Sequence, residues 1–239
     1  MNRLVVLFLA FLLLPTAVRA SSEDSVPPVA FPTIPAQAPA KAGFVPKRWV
    51  VEKEGRGDLN GDGVPDLMLL LHMTDPKNVM ENDGLGPDQL DTNPRMLVVA
   101  FADKAASKYS LALSNHTLIP RHTIPVMDDP LEGVAIVKGT LQVSLTSFMS
   151  AGSWYTSQTK FTFRYQDGCF KLIGYDSMEA KRNTGEMSTV SINYLTRKMK
   201  TAKGNLGTDK EEVSWKTIRT PKLLCLDAVG DGLEFSPES

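Results

Sequence analysis

Two cysteines, three histidines and three tryptophans are all that the 239 residues supply of those types, and each scarcity narrows the chemistry open to the chain. His72, His116 and His122 form no His-Glu-x-x-His pair or other close ligand spacing, so a zinc enzyme is not expected. No Gly-x-Ser-x-Gly string occurs. The nearest, Ser150-Ala151-Gly152-Ser153-Trp154, lacks a glycine two residues after its serine. Charge of one sign is lacking as well: 26 Lys and Arg face 27 Asp and Glu, a net −1. Without a basic excess to neutralise phosphates, nucleic acid is not the expected partner. No apolar run reaches the roughly 20 residues of a membrane-spanning helix. No window has sustained helical periodicity between caps, so few and short helices are expected.

The N-terminus does carry a pattern. Arg3 gives a positive start, residues 4–14 (LVVLFLAFLLL) an apolar stretch, and Val18-Arg19-Ala20 a small-x-small site. Together they make residues 1–20 a secretory signal peptide, with cleavage expected after Ala20 and a destination in the periplasm or outside the cell. In such an oxidising compartment Cys169 and Cys225 are expected to form a disulfide, the alternative being two buried thiols packed as small apolar groups.

Residues 21–46 hold six of the sixteen prolines and no periodic apolar pattern, which reads as a flexible, extended tether before a single β-rich domain at 47–239. From Trp49 onward the signal is short β runs at 47–53, 67–71, 95–101 and 140–148, bounded by Gly, Pro, Asn and Asp. The clearest unit is KFTFRYQ-DG-CFKLIGY. Phe161, Phe163 and Tyr165 alternate with polar neighbours, and Asp167-Gly168 supplies the left-handed pair of a two-residue hairpin turn. Runs at 189–195 and 211–219 continue the pattern around the basic stretch 197–205, which reads as a hairpin or an edge strand protected by lysines. The expected class is mainly β, an antiparallel sandwich or curled sheet with few short helices.

The chemistry-bearing stretch is D-L-N-G-D-G-V-P-D-L at 58–67. Asp58, Asn60, Asp62 and Asp66 place three carboxylates and an amide on one short loop, with the Val64 carbonyl beside them, and Gly63 permits the sharp turn. A hard cation takes about six to eight oxygens at about 2.4 Å, so calcium is the expected cofactor. The alternative is an Asx-rich turn without an ion. A helix-flanked EF-hand is a poor fit, since its twelfth position is Leu69 rather than a bidentate glutamate.

At these residues the chain resembles the calcium loops of FG-GAP and VCBS-type repeat proteins, in which such a loop precedes a strand and binds calcium. Those propellers repeat the loop blade after blade, whereas this chain has one copy, with 227–232 (DAVGDG) at most a degenerate echo, so a propeller is not expected. The wider pattern of that loop, LIPR, SAGSWY and FTFRYQ-x-G-x-F-x-LIGYD is similar to uncharacterised secreted proteins of Gram-negative bacteria, which implies a compartment and no activity.

Outside the loop, Ser153, Trp154 and Tyr155 form a candidate contact surface for an envelope or extracellular protein or glycan, the alternative being that the aromatics enter the core. The acidic stretch 74–94 reads as a long solvated loop in which Asp83, Asp88 and Asp91 could hold a second cation. Non-catalytic binding is the leading expectation. A carboxylate-dependent hydrolase stays open, because paired acids can come from distant strands, and so does an inhibitor or immunity protein acting on an envelope enzyme.

Overall fold

The computed structural model describes residues 26–103, 105, 107–219 and 222–237; the signal-peptide reading of residues 1–20 lies outside them. In chain order the strands are β1 (Gln37–Ala38), β2 (Trp49–Gly57), β3 (Asp66–Met73), β4 (Val79–Glu81), β5 (Gln89–Asp91), β6 (Arg95–Asp103) and β7 (Lys108–Asn115). They continue with β8 (Leu131–Val137), β9 (Thr140–Phe148), β10 (Tyr155–Gln166), β11 (Cys169–Lys181), β12 (Glu186–Asn193), β13 (Lys198–Asn205) and β14 (Glu211–Thr217). The described helices are 3-10 turns of three or four residues, and none is long and apolar enough to cross a membrane.

Two antiparallel sheets hold most of the strands. One has five strands in the order β1-β7-β6-β3-β2, the other seven in the order β14-β13-β12-β11-β10-β9-β8, and β4 and β5 form a separate ribbon. Neither closes into a barrel or a propeller blade ring. The seven-stranded sheet is a meander in which every neighbour in sequence is a neighbour in space. Its centre is the hairpin of β10 and β11, where Asp167 (φ 51°) and Gly168 (φ 81°) take the left-handed pair that a tight turn requires.

Alternation decides which side chains enter the sandwich. Phe161 and Phe163 on β10, Leu141, Val143 and Leu145 on β9, and Leu172 and Tyr175 on β11 pack against Met68, Leu70, Leu97 and Val99 of the smaller sheet. On β3 and β6 alternation gives way to unbroken apolar runs, because those strands are buried on both faces. The second face carries Leu67, Leu69, Leu71, Met96, Val98 and Ala100, which pack against Ile34, Ala38, Phe44 and Trp49.

The tether expected at 21–46 is therefore corrected over its described part. Phe44 is fully buried, Phe31 stacks on His116 with ring centroids 3.8 Å apart, and Arg121 donates to the Pro27 carbonyl at 2.9 Å. The segment lacks periodicity because it lies across the sheet as an irregular cover rather than joining it along its length.

Other expectations shift in a similar way. The acidic stretch 74–94 is not one open loop: β4 and β5 pair, and buried Asn78, Thr92 and Asn93 are hydrogen-bonded at its base. The basic run at 197–205 contains β13, which forms hairpins with β12 and β14 as expected but is an interior strand rather than an edge, with Met199 and Ala202 buried.

Arg95 joins the two sheets. At the start of β6 its side chain is 11% exposed, and it is bidentate both to Glu52 on β2 (2.7 and 2.9 Å) and to Asp129 ahead of β8 (2.8 and 2.7 Å). Burial alone would raise the Asp129 pKa, but the Arg95 and Leu131 hydrogen bonds overcome it and hold the carboxyl below its ordinary value. Arg95→Met should destabilise the protein by about 2 kcal/mol near neutral pH, between the values for exposed and buried pairs. A depressed carboxylate pKa contributes stability above the ordinary range that is lost on acidification. The difference between the two proteins should thus narrow below roughly pH 4, which denaturant titrations at a series of pH values would measure.

Candidate functional site

The loop from Asp58 to Asp66 joins β2 to β3, and its side-chain oxygens fold it back on its own backbone. Asp58 accepts from the Gly61 N–H at 2.6 Å with one oxygen and from the Gly63 N–H at 2.9 Å with the other. Asn60 Oδ1 accepts from the Asp62 N–H at 2.9 Å, and Asp62 Oδ1 from the Val64 N–H at 2.8 Å. Gly63 has φ 80°, the left-handed turn that its motif position demands. Each carboxylate or amide oxygen has more than one lone pair, so the side-chain oxygens of Asp58, Asn60 and Asp62 keep acceptor capacity after these bonds.

Asp66 differs from its partners in the motif. It is fully buried at the first position of β3, where one oxygen accepts from the Leu59 N–H at 2.8 Å and the other from the Ala102 N–H at 3.0 Å on β6. Burial pushes its pKa up, partly countered by those backbone donors. Its evident work is to pin the loop to the sheet beneath, with Leu59 tucked into the sandwich core. The donor set is all oxygen, as a hard cation requires. Among the described residues, no three His, Cys, Asp or Glu side chains already converge to hold a metal.

Cys169 and Cys225 form the disulfide expected from the sequence. The bridge leads the C-terminal segment along β11, where the Leu172 N–H donates to the Leu224 carbonyl at 2.8 Å, and Leu226 and Val229 enter the core. In the 227–232 echo, the Asp227 carboxylate accepts from the Asn115 amide at the end of β7, tying the C-terminal segment to the smaller sheet, and the Asp231 carboxylate accepts from the Leu233 N–H in a local turn.

Trp154 and Tyr155 lie on the surface, 61% and 51% exposed, rather than in the core. The turn that carries them is held from below. Arg182, just past the end of β11, donates to the carbonyls of Met149 (2.6 Å) and Ser153 (2.7 Å), and its guanidinium lies over the Phe148 ring at 4.3 Å. The Ser153 hydroxyl accepts from the Tyr155 N–H at 3.1 Å. Tyr155 then borders a shallow depression of about 320 Å³ with Glu179, Lys181, Glu186, Ser188 and Lys203. Arg182 is the member of this site that sequence reading missed, since an isolated arginine after a strand gives no local signal. Glu52 and Asp129, which do share a partner, face one arginine between them and form a structural clamp. Compared with known proteins, the chain matches no family model, no curated protein and no solved structure.

Proposed function

We propose that the chain is an exported, calcium-stabilised β protein that acts by binding, without catalysis, and that its ligand is a glycan of the cell envelope or extracellular space. The observation that carries the reading is the pair of solvent-facing aromatics on the turn pinned by Arg182, beside a depression rimmed by carboxylates, amines and a hydroxyl. Aromatic faces suit the apolar side of a sugar ring, while the flanking polar groups suit its hydroxyls. A turn held rigid before binding loses little entropy on contact. Export is supported by the N-terminal signal pattern and by the disulfide, which belongs to oxidising compartments. Calcium would be held by Asp58, Asn60, Asp62, the Val64 carbonyl and Asp66, and would stiffen the β2–β3 connection.

Binding of the mature protein to isolated envelope and extracellular polysaccharide fractions tests this. Wild type should be retained, and Trp154→Ala should weaken retention by roughly tenfold or more while leaving the melting temperature unchanged. Equal retention of both proteins, or none by wild type on any fraction, would count against a glycan ligand at this turn.

A further inference from the structure

The outer strand of the seven-stranded sheet is complementary to itself. β14 pairs with β13 on one side and, among the described residues, with no strand on the other. All seven of its residues, Glu211–Thr217, are exposed, including Val213 (47%) and Trp215 (65%). An uncovered edge with two large apolar side chains is the arrangement that soluble proteins ordinarily blunt.

Its orientation follows from its pairing with β13. Ile218 donates its N–H to the Arg197 carbonyl at 3.0 Å, so by alternation the even-numbered residues of β14 bond to β13. Val213 and Trp215, with Glu211 and Thr217, therefore point their N–H and C=O groups away from the sheet. Lys216 lies opposite Met199, a core residue, which places Glu212, Ser214 and Lys216 on the core-side face and Val213 and Trp215 on the other.

We propose that two copies of this chain associate edge to edge through antiparallel β14 strands, with the twofold axis at Ser214, so that their seven-stranded sheets become continuous. In that register all seven residues are matched. Val213 faces Trp215 of the second copy on the outer side, and Glu212 faces Lys216 of the second copy on the other. The unpaired backbone groups of Val213 and Trp215 fall opposite one another as hydrogen-bonded pairs. A shift by one residue sets outward groups against groups already bonded to β13. A register with the axis at Val213 instead sets Trp215 against Glu211. Cross-strand apolar and opposite-charge pairs each favour such an association.

The axis makes the test specific. Ser214 meets its own copy as a non-hydrogen-bonded pair, with Cα atoms about 4.5 Å apart, within the span of a disulfide, whereas two copies of residue 216 are several positions out of step. Under mild oxidation, Ser214→Cys should give a disulfide-linked dimer on non-reducing gels and Lys216→Cys should not. Adding Val213→Lys to the Ser214→Cys chain should slow linkage by roughly tenfold. A Ser214→Cys protein that stays monomeric, or that links no faster than Lys216→Cys, would overturn the proposal. The melting curve of each variant, compared with wild type, confirms that the fold is intact at this exposed strand.

Discussion

Phe44→Ala is expected to destabilise the protein by about 4 kcal/mol, as much as truncating a phenylalanine at the centre of the sandwich. Phe44 lies in a proline-rich stretch with no strand pattern. It is nonetheless fully buried, sealed with Ile34, Ala38 and Trp49 against the outer leucines of β3 and the outer face of β6. Truncation would remove its burial and open a cavity over Leu67, Leu69 and Leu71. Chemical denaturation of wild type and variant measures the difference. A loss below about 1 kcal/mol, the size of an ordinary surface change, would mean that the N-terminal segment does not cover the sheet in solution.

Replacing both Cys169 and Cys225 by serine carries an expected effect of similar size. The bridge spans a sequence separation of 56 residues. In the chain-entropy account, closing a loop of that length in the unfolded state is worth about 4 kcal/mol. For a chain of this size that corresponds to a fall in melting temperature of roughly 10 °C. The loss should be centred on the C-terminal segment, where the backbone bond from Leu172 to Leu224 and the anchors Leu226 and Val229 depend on the bridge for their position. Hydrogen exchange should accordingly accelerate at Leu172 and Val229 before it does at Phe161. A double variant that melts with wild type would show that the bridge adds nothing the core has not already fixed.

What could be read in advance follows from how local each signal is. The β10–β11 hairpin was legible because alternation and Asp167-Gly168 both act within a few residues. The disulfide pairing was legible because two cysteines allow one connection. The strand character of β3 was readable too, from its Leu67–Leu71 run, but its burial on both faces emerged only from the fold. The identity of the second cover was hidden, since an irregular segment buries side chains without a period. β7 and β8 escaped notice because their partly buried residues blur the contrast between faces. The lysines at 198, 200 and 203 suggested a hairpin or an edge; the hairpin is there, but the edge is the next strand, since cross-strand order is not a local property. In the loop from Asp58 to Asp66 the oxygen-bearing residue types and their spacing were visible. That Asp66 also anchors the loop to Ala102, across to β6, depends on tertiary structure alone.

The role assigned to the β2–β3 loop is tested most directly by thermal melting of chelator-treated mature protein, with and without added calcium, for wild type and Asp62→Ala. Binding to the folded state alone stabilises by RT ln(1 + [L]/Kd), about 2.7 kcal/mol at a hundredfold excess over Kd. Wild type should therefore melt several degrees higher with calcium. Asp62→Ala should show no rise, and magnesium should substitute poorly because it demands tighter octahedral geometry and retains its waters. A wild-type melting curve that calcium leaves unchanged, with no ion found by elemental analysis, would contradict the account and leave the segment from Asp58 to Asp66 as a turn closed by its own hydrogen bonds.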